Sequence, residues 1–217
     1  MPKINFITVC TDRYPLVYAE KITRQFKKLT NLNVEYFCLT DRPRDIGDWA
    51  TPLELPVKSD GWWNKVNLFS SDMPEGWILY LDIDIVIMHS FDEEILWTIS
   101  QDQNLACISD AIHWMGEKFS SSLMLFKSGT QEHVYKKFMT EHNSLATRDG
   151  GDQVWVGPQL SNILYIDEQY PNLKKNLKFN VAQRNGDQLT FPALLDPTIK
   201  MLDCGGRPKP HELTMLP

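Results

Sequence analysis

The sequence predicts an α/β fold built around a parallel sheet, and three observations carry that prediction. The first 40 residues read strand, helix, strand, the unit that lays two parallel strands side by side. Trp77 to Met88 is a near-continuous Ile/Leu/Val run, as in strands buried on both faces. The 217 residues, 42% hydrophobic and 23% charged, suit one domain over 1–217 that buries about 70% of its unfolded surface. Disorder, collagen and coiled coil are excluded by the same composition.

The elements come in order along the chain. Lys3 to Cys10 alternates Ile4, Phe6 and Thr8 against Asn5, Ile7 and Val9 and reads as a buried strand. Thr11 to Tyr14 is a polar turn. Tyr18, Ile22, Phe26 and Leu29 recur at helical spacing up to Asn31, and Val34 to Leu39 is the second strand. Asp41 to Pro56 reads as loop, with a short strand near Leu53 to Val57. A helix is expected over Trp62 to Ser70. Trp77 to Leu81 and Ile83 to Met88 read as strand on either side of an acidic break. Asp92, Glu93 and Glu94 load the first turn of a helix to Ile99, where they complement the helix dipole. Leu105 to Ser109 and Phe119 to Lys127 are further strands, and Gln131 to His142 is helical. Short strands and loops lead to the Gly/Pro-rich end.

Charge and cysteine usage narrow the function. Cys10, Cys38, Cys107 and Cys204 form no CxxC pair, which excludes a disulfide scaffold or cysteine zinc finger and fits a reducing, cytoplasmic setting. No apolar run is long and charge-free enough to span a bilayer, so no integral membrane segment is expected. Asp72 to Glu117 holds ten acids and no Lys or Arg, whereas Tyr170 to Pro217 holds seven basic and four acidic residues. No basic stripe marks a nucleic-acid surface. An acidic centre opposite a mildly basic end suits a divalent cation holding an anionic ligand.

Two carboxylates inside the apolar run are its sharpest feature. On a strand, residues i and i+2 share a face, which would place Asp82 beside Asp84. At ~5 Å and an effective dielectric of ~20 they repel by about 3 kcal/mol. A hard cation, Mn²⁺ or Mg²⁺, removes that cost. The alternative is that they end the strand and cap the next element. Asp82, Asp84 and Val86 also fit the Asp-x-Asp pattern of haloacid-dehalogenase-type phosphatases. There, however, the motif ends the first strand, and the later Gly-Asp is followed by a second Asp, whereas Gly151-Asp152 is followed by Gln153 and Val154.

Taken in order along the chain, the motifs resemble family 8 nucleotide-sugar glycosyltransferases, the group of glycogenin and lipopolysaccharide galactosyltransferases. Phe6 to Tyr14 resembles the family's nucleoside-cradling strand and turn, implying roles for Cys10, Thr11 and Tyr14. Gly61 to Phe69 resembles the segment that brings a basic residue to the donor, here Lys65. Asp82-Ile83-Asp84 matches the metal motif, whose first carboxylate also approaches the ribose. Leu105 to Asp110 resembles a strand ending near the donor sugar at Asp110. Phe119 to Phe126 resembles the Phe-Asn-(Ala/Ser)-Gly strand, with Ser120 in the Asn position and Ser122 in the Gly position. Gly151-Asp152-Gln153 matches Gly-Asp-Gln, implying that Asp152 binds a sugar hydroxyl and Gln153 lies near the anomeric carbon. Asp152 also reads as an N-cap for the helix of Val154 and Trp155. Finally, Asp203 to His211 resembles His-x-x-Gly-x-x-Lys-Pro-Trp, with Gly206 and Lys209 on the diphosphate. Asp203 stands in the third metal ligand's place, with His211 as a substitute.

The resemblance implies a GT-A, Rossmann-like fold with a mixed central sheet flanked by helices. It implies metal-dependent transfer of a sugar from a nucleoside diphosphate donor, a uridine one, to an acceptor hydroxyl with retention of configuration. Mn²⁺ or Mg²⁺ is the expected cofactor, and Gln153 would be a poor nucleophile. The alternatives are a nucleotide-sugar-binding module without transfer activity and, behind it, the phosphatase.

Overall fold

The computed structural model describes residues 2–110, 116–145, 151–185, 188–190 and 196–205. In chain order, β1 (Ile4–Val9), α1 (Leu16–Leu29), β2 (Val34–Thr40) and β3 (Thr51–Glu54) lead to a 3₁₀ helix over Gly61–Phe69. Next come β4 (Trp77–Leu81), β5 (Ile85–Ile87), α2 (Asp92–Ser100), β6 (Leu105–Ser109), β7 (Phe119–Lys127), α3 (Glu132–Leu145) and α4 (Gly151–Val156). The rest comprises β8 (Ile163–Tyr165), α5 (Ile166–Gln169), β9 (Lys174–Asn176), β10 (Gln183–Asn185), β11 (Gln188–Thr190) and β12 (Met201–Asp203).

All six residues of β1 are buried, as expected of a strand covered on both faces. It lies near the middle of a seven-stranded sheet ordered β3-β2-β1-β4-β7-β6-β8. The four strands β3, β2, β1 and β4 run parallel. β7 enters between β4 and β6 and runs against both, so the central sheet is mixed. Alternation sorts the side chains between two cores. Ile7, Val9, Ile78 and Tyr80 pack with Trp63, Val66, Phe138 and Trp155 on one face. Phe6, Leu79 and Leu81 pack with Ile22, Phe26 and Ile95 on the other. Helix α1 buries Ala19, Ile22, Thr23 and Phe26, a stripe with the i, i+3, i+4, i+7 spacing of an amphipathic helix.

Three expectations need correction. The helix near Trp62 is a 3₁₀ helix, because two buried asparagines clamp it to the chain before it. The Asn64 amide donates to the carbonyls of Ser59 at 2.7 Å and Gly61 at 2.9 Å. That of Asn67 donates to the Val57 carbonyl at 2.8 Å, and the Val57 N–H returns a bond to Asn67 Oδ1 at 3.1 Å. The edge strand lies at Thr51–Glu54 rather than near Leu53 to Val57. The run from Ile83 to Met88 shrinks to β5, which leaves the main sheet for a second one ordered β5-β12-β9.

At Gly76 the backbone takes φ +127°, and a Cβ there would stand 2.8 Å from the Lys3 carbonyl oxygen. That carbonyl receives the Trp77 N–H at 2.9 Å where β4 starts beside β1. Gly76→Ala is expected to destabilise the fold by about 1–3 kcal/mol, measured as a lower urea midpoint with unchanged slope.

Candidate active site

In an open α/β sheet, ligands bind beyond the carboxyl ends of the strands where the strand order reverses. Here β1 is followed by β2 on one side and β4 lies on the other, and a cavity of about 510 Å³ opens at that point. Val9, Thr11 and Tyr14 line it from the end of β1, and Asp82, Ile83 and Asp84 from the end of β4. Trp62 and Lys65 reach it from the 3₁₀ helix. Asp82 and Asp84 share this wall, but not as same-face residues of one strand. β4 ends at Leu81, and a turn closed by the Ile85 N–H on the Asp82 carbonyl, at 3.1 Å, carries both aspartates.

Lys65 organises the floor. Its ammonium lies 2.9 Å from Asp82 Oδ1, 3.0 Å from the Ser121 hydroxyl oxygen and 3.7 Å from Asp152 Oδ2, with the side chain only 13% exposed. Tyr80, one strand period before Asp82, donates its hydroxyl to Asp82 Oδ1. Burial opposes the charge on Lys65, yet the carboxylates of Asp152, Asp82 and Asp84 hold its pKa above the ordinary lysine range. Tyr80 is pushed well up by burial and by Asp82, so it serves as a fixed donor.

Asp152 is in the first turn of α4, one residue inside the helix rather than at its N-cap. It follows Gly151 at φ +68°, where a Cβ would strike the Trp62 indole nitrogen at 2.7 Å. The close approach of α4 to the 3₁₀ helix therefore requires glycine. Asp152 is buried, and its Oδ2 has no hydrogen-bond partner among the described residues. Burial raises its pKa, with Lys65 pulling it back. An acceptor kept buried at such a cost calls for a function. Next to it, Gln153 Oε1 accepts from the Ser121 N–H at 3.2 Å and the Ser120 hydroxyl at 3.3 Å.

A second buried cation, which nothing in the sequence singled out, stands on the other side of the aspartate turn. Lys174 donates to the Ser122 hydroxyl at 2.8 Å and to Asp203 Oδ2. The second sheet brings Asp203 there, since β12 pairs with β5 and sets Asp203 opposite Ile85. The other Asp203 oxygen takes the Gly205 N–H at 2.8 Å. Burial would raise the Asp203 pKa, but Lys174 and the Gly205 N–H hold it below the ordinary value. Both oxygens of the expected third metal ligand are thus engaged by donors. Among the described residues no three His, Cys, Asp or Glu side chains form a metal-holding group.

Two further expected residues, Cys10 and Asp110, are described. The Cys10 thiol turns under the loop toward the Tyr14 carbonyl at 3.6 Å, and burial pushes its pKa up to about 11. Asp110 follows β6, its N–H bonded to the Lys118 carbonyl at 2.8 Å. Gly206, Lys209 and His211 lie outside the described residues. Sequence reasoning also missed Trp62, 46% exposed at the cavity mouth with the Arg13 guanidinium 5.7 Å from its ring. Its one available signal was the Trp62-Trp63 pair, of which only the second is a core residue.

No protein-family model matches the chain, and no curated protein matches it in sequence. Solved structures match it in fold. An active-site mutant of LgtC is 15% identical, with a TM-score of 0.63 over 95% of this chain and 89% of the other. The galactosyltransferase LgtC in complex with donor and acceptor sugar analogues is 12% identical, with a TM-score of 0.61 over 95% and 88%. Mouse xyloside xylosyltransferase 1 is 11% identical, with a TM-score of 0.56 over 96% and 99%. The chain therefore has the glycosyltransferase GT-A fold.

The raised pKa of Asp152 has a sign that can be tested. The folded state favours its protonated form, so its contribution to stability is lost as pH rises through the folded pKa. Asp152→Asn leaves Lys65 paired with Asp82. It is expected to be more stable than the parent protein at pH 7, with the difference shrinking as pH falls toward the ordinary value of 3.8. Urea denaturation across that range measures it.

Proposed function

We propose that this chain transfers a sugar from a nucleoside diphosphate donor to an acceptor hydroxyl. The observation that carries this reading is the Lys65–Asp82 pair lining a cavity at the sheet's switch point, with the buried Asp152 carboxylate 3.7 Å from the same ammonium. The fold likeness supports it, and LgtC, one of the similar structures, was solved in complex with donor and acceptor sugar analogues. A uridine donor is proposed on the sequence resemblance, with the nucleoside against Thr11 and Tyr14 and the ribose near Asp82.

Asp82 and Asp84 fit a divalent cation of the Mn²⁺ or Mg²⁺ type. They offer hard oxygen atoms at a cavity wall, and such ions take their remaining ligands from water and substrate phosphates. The chemistry such an ion supplies is charge neutralisation on the departing diphosphate. The protein's own residues do the rest. Lys65 places a fixed positive charge beside Asp82, where a preorganised group needs no rearrangement as charge develops. Asp152 Oδ2 offers a buried acceptor to a sugar hydroxyl. Gln153 has its carbonyl oxygen committed to Ser121 and Ser120, so it positions the sugar rather than attacking it. We therefore assign front-face transfer with retention. The bond from C1 to the diphosphate oxygen breaks as the acceptor oxygen bonds the same face of C1, and the acceptor proton passes to the diphosphate.

One observation favours a second reading, nucleotide-sugar binding without transfer. Ser120 and Ser122 are tied into hydrogen bonds with Gln153 and Lys174 where the related strand offers Asn and Gly. The phosphatase needs a free attacking carboxylate, whereas Asp82 is held by Tyr80 and Lys65. No helix among the described residues is long and apolar enough to cross a membrane. The four cysteines, all buried and none in a disulfide, support our placing the protein in the cytoplasm.

Incubation with UDP-glucose or UDP-galactose, Mn²⁺ and a panel of glycoside acceptors is expected to release UDP and form a product whose anomeric configuration, read by NMR, matches the donor's. Asp152→Ala is expected to lower turnover about 100-fold. UDP binding without release of UDP from either sugar nucleotide would establish the binding module, and an inverted product would overturn the proposed mechanism.

A further inference from the structure

The turn that carries Asp82 and Asp84 is flanked by two lysines of low exposure. Lys65 holds one side. On the other, Lys174 has a side chain only 9% exposed and is paired with Asp203, itself 13% exposed. The two groups belong to one polar assembly. The Asp82 N–H bonds the Ser122 carbonyl at 2.9 Å, and the Ser122 hydroxyl bonds Lys174 at 2.8 Å and Ser120 at 2.9 Å. The Cys204 N–H, next to Asp203, reaches the Asp84 carbonyl at 3.1 Å.

An ammonium has three N–H donors. Lys174 uses one on Asp203 and one on Ser122, and the third has no acceptor among the described residues. With 9% of the side chain exposed, that N–H is left for solvent or for an anionic oxygen of a bound ligand, which it would hold by a charged hydrogen bond. Asp203 is held on its two oxygens by Lys174 and by the Gly205 N–H.

We propose that Lys174 takes the place of the third metal ligand in the nucleotide site: it withholds Asp203 from the metal and gives its remaining N–H to an oxygen of the donor's diphosphate. The inference rests on the nucleotide-sugar reading above. It makes donor binding only partly dependent on a divalent cation, with Asp203 outside the metal's coordination.

Calorimetric titration of UDP into the wild type, Lys174→Met and Asp203→Asn, each with Mn²⁺ and with excess EDTA, tests it without requiring turnover. In EDTA the wild type is expected to keep UDP affinity within about tenfold of its Mn²⁺ value, and Lys174→Met to lose about a further tenfold or more, the worth of a charged hydrogen bond. Asp203→Asn, which leaves the Lys174 charge uncompensated, is expected to bind UDP in EDTA at least as tightly as the wild type. It is also expected to keep its Mn²⁺-supported affinity. Loss of Mn²⁺-supported binding in Asp203→Asn would make Asp203 a metal ligand and overturn the proposal. Abolition of wild-type binding by EDTA would overturn it too, as would an unchanged Lys174→Met. If Lys174→Met does not fold, the other two proteins decide the matter. Absence of UDP binding in every condition would instead overturn the uridine-nucleotide reading on which the proposal stands.

Discussion

A lysine ammonium buried among carboxylates is the constraint on which this site depends. Lys65 cannot be stripped of water alone, because an unpaired buried charge costs several kcal/mol. Asp82 must therefore stand at the end of β4 as its close partner, while Asp152, brought in from α4, sits 3.7 Å away. Each of the three elements involved is shaped to that requirement. The 3₁₀ helix holds Lys65 at a fixed height through the Asn64 and Asn67 clamps. The Tyr80 hydroxyl braces Asp82 from within the same strand. Gly151 allows α4 to approach Trp62 closely enough for Asp152 to reach the ammonium.

The architecture explains why these groups meet at this end of the molecule. Parallel strands direct their carboxyl ends to one edge of the sheet, and the reversal of strand order between β2 and β4 leaves a crevice there. The antiparallel β7 then carries Ser120, Ser121 and Ser122 back across that edge beside β4. Its hydroxyls link the Lys65 group to Lys174, so that a single strand supplies contacts to both cations. The small sheet β5-β12-β9 adds Asp203 and Lys174 from the far end of the chain.

Much of the central sheet was legible because its signal is local. The limits of β4, β6 and β7 coincide with the apolar runs, and α1 follows its helical spacing. The 3₁₀ helix was not legible as such, since its geometry comes from side-chain bonds between Asn64 or Asn67 and the preceding backbone. The two aspartates line one cavity, though not as same-face residues of a strand. A turn, not strand alternation, brings them there.

The amino-acid pattern by itself determined an α/β chain with acidic residues at a strand end and a Gly-Asp-Gln segment available to join them. Periodicity and residue chemistry act within a few positions, and those features need nothing more. Only the tertiary structure decided the partners: Lys65 with Asp82 and Asp152, and Lys174 with Ser122 and Asp203. The physical reason is that burial determines which charges must pair. Burial is a property of strands and helices stacked from distant parts of the chain, not of any stretch read alone.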